Sequence, residues 1–186
     1  MRPVLALALA TTVVLGLAAC APADRVLRAT PTPVATEGTL PPEPINETVG
    51  VSCSTLITDQ AIYDWGSGNF ALDSTFVPES GSSAAQIAAD GGLACRWINL
   101  TSQETVDVAV SIPADTDLAA AQQAAAAGGV AVPEFGDAYF RSVEGIGYLD
   151  VFSDGYWLTL QSTWFYEARD ATTLVEAATL ALPPRG

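Results

Sequence analysis

Cys20, Cys53 and Cys95 are the only thiols in a chain of 186 residues that contains no histidine and no lysine. Those two absences exclude much familiar chemistry. A Ser-His-Asp or Cys-His site has no base, and a Ser-Lys dyad has no lysine. No G-x-S-x-G elbow occurs, so Gly66-Ser67-Gly68 and the serines around Ser82 read as turn residues. Two cysteines plus acids make a poor zinc site without an imidazole. The C-x-x-C spacing of a redox motif is also missing.

Carboxylates are the remaining reactive groups. Asp115 and Asp117 stand where a helix should start, and capping accounts for them. Asp150 and Asp154 flank an expected hairpin tip. With Asp107 or Glu144 they offer oxygen ligands of the kind calcium takes, but no calcium-loop pattern surrounds them. A pair of carboxylates can also hydrolyse glycosides; spacing in an acidic chain gives that no support. The expectation is therefore no catalytic residues, no metal and no cofactor.

The 21 acids outnumber the seven arginines and set the net charge at −14. That field repels nucleic acid and anionic lipid headgroups, and attracts cations and basic peptides. In its plainest role it keeps the domain soluble.

The elements carrying these residues begin with a leader. Arg2 precedes an apolar run from Pro3 to Leu15, and small residues follow at Gly16, Ala18 and Ala19. This is a secretory pattern, too short for a membrane-spanning helix that stays in place. Leu17-Ala18-Ala19-Cys20 resembles the lipobox of bacterial lipoproteins. The resemblance implies cleavage before Cys20 and acylation of its sulfur, palmitate included; an ordinary cleaved signal and an uncleaved anchor are the alternatives. Residues 20–48 are rich in Pro, Thr and Glu and read as a tether. Such a segment spans about 30 Å as a coil and roughly 85 Å as an extended polyproline helix. Outside the cytoplasm, Cys53 and Cys95 are expected to oxidise. Their bridge would close a loop worth about 4 kcal/mol in the chain-entropy picture.

From residue 49 to 186 the pattern is that of a folded domain. Thr58 opens a short helix carrying Ile62 and Trp65, and Ser82 or Ser83 opens another, ended by Gly91 and Gly92. "LACRWIN" puts Cys95 and Trp97 on one face and Arg96 and Ile98 on the other. "TVDVAVSI" sets Val106, Val108, Val110 and Ile112 against Thr105, Asp107, Ala109 and Ser111. That is the period of a half-buried strand. An alanine-rich helix is expected after Asp115 or Asp117, ending at Gly128. "AYFRSVEGIGYLDVFSDGYWLTLQSTWF" reads as a strand, a turn and a long hairpin around Asp154-Gly155. In that hairpin Tyr156, Leu158, Leu160 and Trp164 fall on one side and Trp157 and Phe165 on the other. The aromatics of 148–166 serve either as core or as a binding surface. A last helix is capped by Asp170 and stopped by Pro183. The predicted class is α+β, an antiparallel sheet of about four to five strands packed by two to three helices.

A lipobox tether, "CSTLIT" with its short helix and "GGLACRW" on a strand together resemble small secreted lipoproteins of actinobacteria. Those proteins are built on one disulfide-stapled α+β domain of unknown function. They are similar in layout to extracellular sensor domains of actinobacterial receptor kinases, which carry a second disulfide that this chain lacks. The resemblance implies a cell-membrane, lipid-anchored, extracytoplasmic protein. Its expected role is non-catalytic ligand binding or sensing, with an envelope protein or a small ligand as partner. A structural or assembly accessory acting through another envelope protein is the alternative, and an enzyme using carboxylates alone is a third class.

Overall fold

Local hydrogen bonding starts most of the helices where side-chain caps allow. A computed structural model describes residues 49–185 and the backbone of 45–46; the leader, Cys20 and the rest of the tether lie outside the described residues. Strands β1 (Ile45–Asn46) and β2 (Val51–Ser52) form a small antiparallel pair. Ser52 then caps α1 (Cys53–Leu56) by accepting from Thr55 N. Thr58 caps α2 (Asp59–Gly66) through Ala61 N at 3.2 Å, and Ser82 caps α3 (Ser83–Ala89) through Ala85 N at 3.1 Å. These hydroxyls satisfy N–H groups that the first turn leaves open. The strand β3 (Phe70–Leu72) separates α2 from α3.

After α3 come β4 (Leu93–Asn99), β5 (Thr105–Ser111), α4 (Asp115–Gly128), β6 (Val130–Ala131), β7 (Asp137–Val143), β8 (Ile146–Ser153), β9 (Tyr156–Ser162) and α5 (Thr172–Ala181). The main sheet has seven antiparallel strands in the order β3-β4-β5-β9-β8-β7-β6. The class is α+β as expected. The sheet exceeds four to five strands. The sequence "FALDSTF" reads as a short strand and holds β3, whereas β6, two residues long, is too short to show a period in sequence. Among the described residues five α-helices replace the expected two to three, one of them the four-residue α1.

Alternation along the strands divides the sheet into two unlike faces. One face buries Cys95, Trp97, Val106, Val108, Leu149, Leu158 and Leu160 beneath α1, α2 and α5. The other carries a smaller cluster of Ala109, Phe152 and Trp157 under Ile87 of α3 and Ala121 and Ala125 of α4. Phe152 and Trp157 stack there at 6.2 Å. Gly147 lies in the first face where a Cβ would overlap the Phe165 carbonyl oxygen, so this close approach admits only glycine.

Three local expectations are corrected. The cap of α4 is Ala114, with no side-chain bond, and Asp115 and Asp117 occupy the first turn, where they complement the helix dipole. Asp170 does not cap α5. It belongs to a 3-10 turn, Ala168–Ala171, where its carboxylate accepts from the backbone of Tyr166 and Glu167. Phe165 does not share a face with Trp157: β9 ends at Ser162, the chain turns, and Phe165 enters the core beneath α2 and α5. Strand parity stops at the last paired residue.

Cys53 and Cys95 form a disulfide with Cα atoms 5.6 Å apart. The bridge joins α1 to β4, next to the edge strand β3, through two buried side chains. No helix among the described residues is long and apolar enough to cross a membrane. Cys53→Ala is expected to lower unfolding free energy by about 3–4 kcal/mol, read as a lower urea midpoint than that of the oxidised wild type.

Candidate functional site

The lightly covered face holds the polar side chains that sequence alternation places away from the main core. Strand register lines up Arg96 on β4, Asp107 on β5, Gln161 on β9, Tyr148 on β8 and Arg141 on β7 as one row across five strands. In the next row, Ala94, Ala109, Thr159, Asp150 and Tyr139 are neighbours in the same way. The alanines of α4 are short, so the cover over these rows is thin.

Two buried carboxylates anchor this face. Asp107 and Asp150 are each only 2% exposed. Burying a carboxylate is costly unless it is paired and hydrogen-bonded. Asp107 accepts from Arg96 Nε and Nη2, both at 2.6 Å, and from Gln161 Nε2 at 2.7 Å. The hydrogen bond to Asp107 holds the Arg96 guanidinium above its ordinary pKa. Phe76 covers the Arg96 guanidinium at 4.1 Å. A turn carries that ring into place: Thr75 donates through N and Oγ1 to Asp73, and these bonds hold the Asp73 carboxyl below its usual range.

Asp150 is held differently. Its Oδ1 accepts from Trp157 Nε1 and its Oδ2 from Arg141 Nη1, each at 3.0 Å. Arg141 lies 4.7 Å from the Tyr148 ring centre. So the two arginine–aspartate pairs, set on opposite sides of β9, are not equivalent. Arg96 uses its guanidinium fork on Asp107, whereas Arg141 gives Asp150 a single bond and keeps further N–H donors.

Two adjoining clefts open over this floor. One, of about 340 Å³, lies between α3 and α4 above Asp150, Trp157 and Arg141. The other, of about 390 Å³, is bounded by Glu79, Ser80, Ser83, Tyr148, Gln161 and Arg141. Ser83 and Arg141 line both, which makes them parts of one groove. Each volume lies in the lower part of the range typical of small-ligand sites.

The oxygen ligands considered for calcium are not brought together. Asp107 and Asp150 each face an arginine, while Glu144 and Asp154 occupy the β7–β8 and β8–β9 turns at φ of 52° and 49°. Among the described residues no group of three or more Cys, Asp or Glu is placed to hold a metal ion. Cys20 lies outside the described residues, and Cys53 and Cys95 are joined in the disulfide.

The aromatics of 148–166 divide between buried and exposed positions. Tyr156 and Trp157 are buried, whereas Tyr166 is 82% exposed. Trp164 packs against Trp65 and Phe70 at 5.5 and 5.2 Å. Arg141 and Glu79 were missed as candidates, since nothing in their local sequence marks them; only strand register and a loop approach set them around one groove. No known protein family, curated protein or solved structure matches the chain.

Asp150→Ala would leave the Trp157 indole N–H and the Arg141 guanidinium without their acceptor. The variant is expected to lose about 3 kcal/mol of stability, measured by chemical unfolding. Asp154→Ala in the turn serves as a control and is expected to lose much less.

Proposed function

We propose that the chain is a lipid-anchored envelope protein whose domain binds a small polar ligand in the groove over Arg141, without chemistry of its own. The address rests on the lipobox-like Leu17-Ala18-Ala19-Cys20 and the tether of residues 20–48. The Cys53–Cys95 disulfide supports it, because such bonds persist mainly in oxidising compartments. The likeness to small secreted actinobacterial lipoproteins belongs to the same reading.

The observation that carries the binding role is Arg141. It is a half-buried cation with donors to spare, fixed by Asp150 and Tyr148, at the junction of two clefts. A guanidinium held this way is already oriented, so a ligand need not order it on binding. Both buried carboxylates nearby are engaged by arginines, which favours binding over acid–base work.

Cys20→Ala is expected to shift the protein from the membrane fraction to the medium, or to leave uncut precursor. Normal processing with full membrane retention would overturn the lipid anchor. For the groove, the full protein is purified from its native envelope without denaturant and weighed by native mass spectrometry. A mass excess that disappears on unfolding, and that Arg141→Lys reduces, is the expected result. The same excess in Arg141→Lys as in wild type would place the ligand elsewhere.

A further inference from the structure

The cleft of about 390 Å³ is lined by two opposite charges, Arg141 and Glu79, and neither charge is fully used. Arg141, where this cleft meets the other, has an acceptor among the described residues for Nη1 alone. A guanidinium offers five N–H donors, in a fork that fits a carboxylate. Glu79 is exposed, and its side chain makes no hydrogen bond or ion pair among the described residues. Its field is felt at Arg96, which places it towards the β4 side of the row. Between them, Gln161 gives Nε2 to Asp107 and so leaves its Oε1 as an acceptor, while Ser80, Ser83 and Tyr148 add hydroxyls.

We propose that this groove takes an amino-acid-like zwitterion, a free amino acid or a short peptide, with its carboxylate on Arg141 and its ammonium towards Glu79. This assignment rests on the reading of the groove as a ligand site. Three other chemistries fit less well. A purely anionic ligand would meet Glu79 and a chain of net charge −14. A purely cationic one would meet Arg141. A neutral sugar would answer neither charge, leaving the spare guanidinium donors and the Glu79 carboxylate to water. Small side chains suit the wall that α4 presents through Ala120, Ala121, Ala124 and Ala125.

The test uses the full chain in detergent and follows the Trp157 indole N–H resonance, which reports on Asp150 and hence on Arg141. The probes are L-alanyl-L-alanine, its N-acetyl form, its C-terminal amide, free L-alanine and glucose. Dialanine is expected to shift the resonance, and blocking either end to weaken binding tenfold or more. Glu79→Gln, an exposed substitution, should weaken dialanine and not the N-acetyl form, so that the difference between the two is lost. Arg141→Lys should weaken dialanine and the N-acetyl form alike. Equal binding of free and acetylated dialanine would overturn the zwitterion. Glucose binding alone would overturn it too while leaving the groove as a ligand site. If no probe shifts the resonance, the zwitterion falls; if the natively purified chain also carries no ligand, the groove reading falls with it.

Discussion

A carboxylate cannot be left alone inside a protein, and the central strands of this sheet bury two. Asp107 and Asp150 sit on β5 and β8, on either side of β9, with almost no contact with water. Each therefore requires a cation on an adjacent strand, and Arg96 and Arg141 meet that need from β4 and β7. Gln161 and Trp157 on β9 complete the two hydrogen-bond sets. A face organised in this way cannot be closed by a thick apolar layer. The small residues of α3 and α4 cover only part of it, and the groove is what remains.

The opposite face obeys the simpler rule of apolar burial. Branched side chains of β5, β8 and β9 meet α1, α2 and α5, and the disulfide fastens α1 to β4 within that layer. The division of labour is physical. One face supplies most of the apolar area removed from water, which is the main driving force of folding. The other can then hold charge whose desolvation its own pairs offset. Breaking one member of such a pair is more damaging than never having built it, because the partner stays buried.

Arg96 and Arg141 illustrate how the same residue type acquires two roles. Arg96 is closed in by Asp107 on the adjacent strand and by the Phe76 ring against its guanidinium, so it is structural. Arg141 is about as exposed as Arg96, at 30% against 29%. The difference lies in how many donors each has engaged and in what lies over it. Exposure alone would not have separated them.

Much of this was readable in the chain. The alternation in "TVDVAVSI" set Asp107 on the face opposite the valines, and "LACRWIN" set Arg96 opposite Cys95 and Trp97, because side chains of a strand point to alternate sides. The Ser and Thr caps of α2 and α3 were legible because capping is a local bond. Where pairing or a turn decides, local reasoning fails. It finds a short strand in "FALDSTF", where β3 lies, but it cannot see β6, it carries the parity of β9 past its end to Phe165, and it puts Asp170 on α5. The amino-acid sequence by itself determined the α+β class and the faces of β4, β5 and the paired part of β9, since these follow from the period along each strand. Only the tertiary structure decided which arginine meets which carboxylate, that Arg141 retains free donors, and that Glu79 shares its groove. Those depend on the register between strands remote in the chain and on where a loop comes to rest, neither of which a local pattern encodes.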